Sequence, residues 1–143
     1  MKTKMRTRFN VWMTAILALM GFGSFGCVMY GVPEGDLTFE GKVVNEEQEA
    51  LEGIMVVRRG GWTDGIPQMH WNEYADTLYT NSEGEYYKER ERDFPLKYHM
   101  ITVKDPSGEY KTQDTVVTVR YKGGLGWYEG KATIKLNFTL KKK

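Results

Sequence analysis

The chain of 143 residues holds one cysteine, two histidines and four prolines. A single cysteine excludes an internal disulfide framework and every Cys-rich zinc site. Two histidines leave little for a metal centre or a nucleophile–base triad. Gly-x-Ser-x-Gly, His-Glu-x-x-His and a Gly-rich phosphate loop opening a helix are all missing, so no catalytic constellation is expected and the chain reads as a non-enzyme. Asp64, His70, Glu73 and Asp76 are the nearest thing to a metal-capable group, but their spacing fits no ligand motif, and neither metal nor cofactor is expected. Acidic residues are absent from one stretch only. Residues 1–26 carry Lys2, Lys4, Arg6 and Arg8 and no acid, which leaves 16 of the 20 basic residues against all 19 acidic ones in the rest. A mildly acidic body argues against a nucleic-acid surface.

What is present begins with the leader. Those four cations precede residues 9–25, an uncharged run rich in Leu, Met, Phe and Ala. A positive segment followed by a short apolar one has the outline of a helical secretory signal peptide. The run ends at Gly26-Cys27. A small residue before the sole cysteine resembles a lipoprotein signal sequence, although Phe25 is bulky and Ser24 stands where Leu is common. That resemblance implies a diacylglyceryl thioether at Cys27, cleavage before it, and acylation of the freed amine by a fatty acid such as palmitate. Two or three chains at about 0.8 kcal/mol per buried CH₂ hold a soluble domain on a membrane durably. The division expected is a signal peptide over 1–26, a tether over 27–36 and a folded body over 37–143. No acidic run follows Cys27, which favours the periplasmic face of the cell envelope.

Beyond the tether the pattern has period two. Leu37, Phe39 and Val43 alternate with Thr38, Glu40 and Lys42, and Ile134, Leu136, Phe138 and Leu140 alternate with Thr133, Lys135, Asn137 and Thr139. Such alternation is the mark of strands with one buried face. Further strands are expected over 54–59, closed by Gly60-Gly61, and over 76–80, 86–92, 98–104 and 115–121. Turn residues separate them at 45–53, 81–84 and 105–108. The charged run 86–92 reads as an edge strand. Seven short strands without a helical period imply an all-β, antiparallel sandwich. Residues 62–74 read as a long loop or a loop with one helical turn.

Two resemblances refine this. Gly41-Lys-Val-Val-Asn, Leu51-Glu-Gly-Ile54-Met-Val and Thr80-Asn-Ser-Glu-Gly84-Glu-Tyr86 are similar to the signatures of carboxypeptidase-regulatory-like domains, which implies a transthyretin-like (prealbumin-like) sandwich. Cys27-Val-Met-Tyr30-Gly31-Val-Pro33 together with Gly123-Gly124-Leu-Gly126-Trp127-Tyr128-Glu-Gly130-Lys resembles the radical SAM-associated lipoproteins of Gram-negative bacteria. That resemblance implies an envelope lipoprotein, anchored to a membrane, standing beside a radical SAM enzyme. The compact Asp105-Pro-Ser-Gly108 departs from the longer Asp/Gly-rich segment of that family.

The residues left for recognition are aromatic. Trp62, His70, Trp71 and Tyr74 fall within 13 residues, and Trp127-Tyr128 lies in a Gly-rich loop over 123–130. If the two loops share one end of a sandwich, they form a surface for a glycan or a peptide; otherwise they cap the core. Asp76-Thr77-Leu78 and Asp114-Thr115-Val116 resemble a periplasmic O-glycosylation acceptor, which would mark Thr77 and Thr115.

Overall fold

A computed structural model describes residues 8, 10–16, 31–64 and 68–143. The chain divides into two compact units, Met1–Gly31 and Val32–Lys143. In the first, residues 10–16 are helical. No helix among the described residues is long and apolar enough to cross a membrane. Cys27 lies outside the described residues, as do residues 28–30 of the expected tether.

The second unit is a sandwich of two sheets. Its strands are β1 (Glu34–Asn45), β2 (Met55–Thr63), β3 (Met69–Tyr79), β4 (Glu85–Asp93), β5 (Tyr98–Lys104), β6 (Gln113–Thr118), β7 (Lys122–Leu125), β8 (Tyr128–Lys135) and β9 (Phe138–Leu140). One sheet runs β4-β1-β8-β7, with β9 also paired to β1; the other runs β3-β2-β5-β6. The inward phase of each strand supplies the core. Leu37, Phe39 and Val43 of β1 meet Ile54, Val56, Ile101 and Val103 of the facing sheet, closed by Phe138 and Leu140. Phe39 and Tyr86 pack with ring centroids 5.0 Å apart. The charged strand β4 is an edge, as its composition suggests.

Several expectations are corrected. The first sheet is mixed, because β1 runs parallel to both β8 and β9. The chain leaves the far end of β1, forms the second sheet together with β4 and β7 of the first, and returns to the near end of β1 before starting β8; a long crossover of that kind produces parallel neighbours. Nine strands replace seven among the described residues. The last expected strand is broken at Leu136-Asn137, where β1 passes from β8 to β9. There Leu136 N–H donates to the Glu40 carbonyl (3.0 Å), Lys42 N–H to Asn137 Oδ1 (3.0 Å) and the Tyr86 hydroxyl to the Leu136 carbonyl (2.6 Å). Only glycine fits β1 at this crossing, since a Cβ on Gly41 would lie 1.6 Å from the Leu136 oxygen. The Gly-rich segment over 123–130, expected as a loop, is the β7–β8 hairpin, with Leu125 opposite Tyr128. Gly126 sits first in its two-residue turn at φ +64°, a left-handed conformation that glycine adopts freely.

The correction over residues 62–74 matters most for the site. Residues 62–74 are neither loop nor helix. They lie in the β2–β3 hairpin, which runs past Gly60-Gly61 and continues beyond the start of β5. Two glycines would ordinarily weaken a strand. Here the Trp71 ring lies over Gly61, so close that a Cβ there would come within 2.5 Å of it. Covering a glycine with a cross-strand aromatic restores the buried area the glycine lacks. β1 begins at Glu34.

Candidate functional site

The β2–β3 hairpin and the β7–β8 turn lie at one end of the sandwich. β2 last meets β5 at the pair Gly61–Tyr98. Residues 94–97 join that end of β5 to Asp93 of β4, which pairs with Gly35 of β1. Glu34 then pairs with Tyr128, and Glu34 N–H donates to the Trp127 carbonyl at 2.9 Å. The aromatic residues singled out in the sequence are therefore gathered at a common end.

They do not form one continuous face. Gly61 is opposite Trp71, and Trp62 is opposite His70. Successive residues of a strand point to opposite sides, so Trp71 shares the outer face with Tyr98, whereas Trp62 and His70 lie on the other side of the hairpin. Trp62 and His70 stack at 5.8 Å and 24°, and His70 Nε2 is 3.2 Å from the Asp64 carboxylate. Tyr74 sits in an irregular stretch of β3, opposite Gly60 between two registers, and is 85% exposed. Trp62 is 42% exposed and Trp127 58%. None of these rings belongs to the core cluster. Among the described residues no ring–ring contact joins Trp127 to the hairpin.

Tyr128 is committed elsewhere. Its hydroxyl donates to Asp36 at 2.7 Å, and Arg92 N–H donates to the same carboxylate at 2.9 Å. Those two bonds, the Arg92 one first, hold Asp36 below the usual carboxylate range. The hydrogen bond to Asp36 raises the Tyr128 phenol. Tyr128 thus ties β8 to β1 rather than facing solvent as a free ring. Thr77 is exposed on the outer face of β3; Thr115 is half-buried and pairs with buried Ile101, so it faces inward. The loose Asp64/His70/Glu73/Asp76 group is not assembled: Asp64 meets His70, but Asp76 is taken by two arginines. Among the described residues no three His, Cys, Asp or Glu side chains could hold a metal ion.

The arginines that take Asp76 were not anticipated as site residues. Arg58, 7% exposed, bonds Asp76 through Nε at 2.8 Å and through a second nitrogen, and Arg90 of the facing sheet reaches the other oxygen of the carboxylate. Burial opposes ionisation of Asp76, but the two guanidinium groups outweigh it and the net shift is downward. Arg58 also meets Nδ1 of the buried His99 at 2.9 Å, and the Leu96 carbonyl lies 2.9 Å from Nε2. An arginine can only donate, so Nδ1 is the acceptor and Nε2 carries the proton. Burial first, and the Arg58 charge second, push the His99 pKa down to about 4. The signal was in the strand phase. Arg58 follows Ile54 and Val56 on the inward side, and His99 precedes Ile101 and Val103.

A pH dependence follows. Between the ordinary histidine value near 6.5 and about 4, the unfolded chain binds a proton at position 99 that the folded domain refuses. Stability present above pH 6.5 is therefore lost as pH falls through that window, by up to about 3 kcal/mol. Urea melts at pH 7 and pH 4.5 should show this loss in the native chain and a much smaller one in His99→Gln; equal losses would place the proton uptake elsewhere.

No family model and no curated protein matches the sequence. Solved structures do share the fold. Chlorocatechol 1,2-dioxygenase from Pseudomonas putida aligns with a TM-score of 0.54 at 14% identity, over 77% of this chain and 61% of that one. Catechol 1,2-dioxygenase from Pseudomonas arvilla C-1 aligns with a TM-score of 0.51 at 13% identity, over 77% of this chain and 53% of that one. The chain thus spans roughly half to three-fifths of these enzymes' length. At such identity the likeness is one of fold alone.

Proposed function

We propose that the chain is a lipid-anchored, non-enzymatic recognition module of the cell envelope that binds carbohydrate through the aromatic end of its prealbumin-like sandwich. The observation that carries the binding reading is the exposure of Trp62, Tyr74 and Trp127 at one end, outside the core. Large rings left in water at one end of a small domain offer flat faces for the C–H surfaces of sugars. The Asp64–His70 pair beside Trp62 adds polar groups for hydroxyls. The membrane anchor rests on the leader and Gly26-Cys27, and the association with a radical SAM enzyme on the sequence resemblance alone.

Titration of the full chain in detergent with a glycan panel, read by tryptophan fluorescence, tests binding. The combined Trp62→Ala/Trp127→Ala variant is expected to lose at least about tenfold in affinity, with a melting temperature within a few degrees of the native chain. Undiminished affinity in that variant contradicts the reading, as does an absence of binding across the panel. Catechol is expected to be left unconsumed by the same preparation. The anchor is tested separately. Cys27→Ser should abolish labelling of cells by a palmitate analogue, and undiminished labelling contradicts lipidation at that residue.

A further inference from the structure

Between the two aromatic groups lies a cleft of about 600 Å³, open to solvent, formed by the segment before β5, the chain linking β6 to β7, and β8. Its lining has an unusual mixture. Lys97 and Arg120 bring two cations, Glu129 one carboxylate, Tyr121 a phenol, and Pro95 and Val119 apolar surface. Among the described residues neither cation is in an ion pair. Lys97 Nζ stands 5.4 Å from the centre of the Tyr98 ring. The Tyr121 ring is wedged against Gly35, where a Cβ would come within 2.7 Å of it. Tyr121 also packs against the core, and burial raises its phenol to about 12.

The cleft continues the outer aromatic row. Trp71, Gly61, Tyr98 and Thr118 are successive cross-strand partners, and Thr118 forms part of the cleft wall. Glu129 follows Tyr128, next to exposed Trp127. A ligand lying along Trp71 and Tyr98 therefore reaches two unpaired cations at the end of its track.

We infer that this cleft selects an acidic saccharide, with Lys97 and Arg120 taking the sugar carboxylate and Glu129 its hydroxyls. The inference rests on the carbohydrate reading above and names its substrate class. A neutral sugar would leave both cations unused. An acidic peptide would pair with the cations but has no hydroxyl array to donate to Glu129. Charge-assisted bonds to a carboxylate are the strong members of such a set, so they should dominate discrimination.

The test uses the full chain in detergent, titrated by calorimetry with oligogalacturonate, alginate oligomers, neutral manno-oligosaccharides and poly-L-glutamate. A uronate oligomer is expected to bind at least about tenfold more tightly than the neutral sugars, and to weaken as salt is raised. Lys97→Ala/Arg120→Ala should remove that preference without altering the melting temperature, because both side chains are exposed. Binding of neutral sugars equal to that of the uronates, or a preference unmoved by the double variant, overturns the cleft assignment and leaves carbohydrate recognition standing. Poly-L-glutamate binding as tightly as a uronate overturns it as well, since charge alone would then suffice. Failure of every saccharide to bind overturns both.

Discussion

Replacing Asp76 with Asn is expected to cost about 3–5 kcal/mol of stability, the usual consequence of removing one partner from a buried ion pair. For a domain of this size that lowers the melting temperature by roughly 15–25 °C. The reason lies in the geometry. Arg58 is buried between the sheets, and its only anionic partner among the described residues is Asp76. An asparagine there leaves a guanidinium charge in the interior with His99, itself neutral, as its remaining neighbour. Arg90 suffers less, because it also bonds Asp93 at 2.6 Å and is partly exposed. Arg58→Leu/Asp76→Leu should therefore lose much less than Asp76→Asn, since it removes the buried charge together with its partner. Thermal melts of the two variants decide the matter; a single variant as stable as the native chain would mean that water reaches Arg58.

The second large effect is expected at Gly41. An added methyl would lie 1.6 Å from the Leu136 carbonyl oxygen and 2.4 Å from the Tyr86 hydroxyl. Backbone cannot yield as a side chain does, so Gly41→Ala must push β1 away from the β8–β9 junction or break the Tyr86–Leu136 bond. Overpacking of this kind costs about 1–3 kcal/mol, and an orphaned buried carbonyl about 1–3 more. Gly53 gives the contrast. Its φ is +74°, but nothing stands within 4 Å of an added Cβ. Gly53→Ala should cost only the left-handed strain of about 1 kcal/mol. Equal melting temperatures for the two variants would show that crowding at the crossing is relieved cheaply.

These two residues also mark how far the sequence can be read. The alternation in β1 and in β8–β9 names the inward residues, and Leu37, Phe39, Ile134 and Phe138 are all in the core. Alternation fixes faces, but it carries no information on the direction of a neighbouring strand. Hence the parallel pairing of β1 with β8 and β9 was not legible, nor was the break at Leu136-Asn137 that makes Gly41 indispensable. Gly60-Gly61 read as the end of a strand because the compensation comes from Trp71, which becomes a neighbour only once the hairpin has formed. For the site, the sequence left a shared end for the aromatic residues only as a condition, because the path that joins the β2–β3 hairpin to the β7–β8 turn runs through long-range pairing. Their division onto two sides of the hairpin was not legible either, since it depends on the register of Trp62 with His70. Lys97 and Arg120 carry no local signal at all. They look like ordinary surface cations until the segment before β5 and the end of β6 are brought together.

The direct measurement is a map of where ligand binds. In ¹⁵N-labelled full chain titrated with a uronate oligomer, amide shifts are expected at Trp62, Trp71, Lys97, Tyr98, Arg120 and Trp127, at the aromatic end. A second groove of about 410 Å³ on the outer face of the other sheet, lined by Glu40, Lys42, Tyr87, Lys135 and Asn137, should stay silent. Shifts confined to that groove, with the aromatic end unmoved, would contradict recognition at the Trp71–Trp127 end.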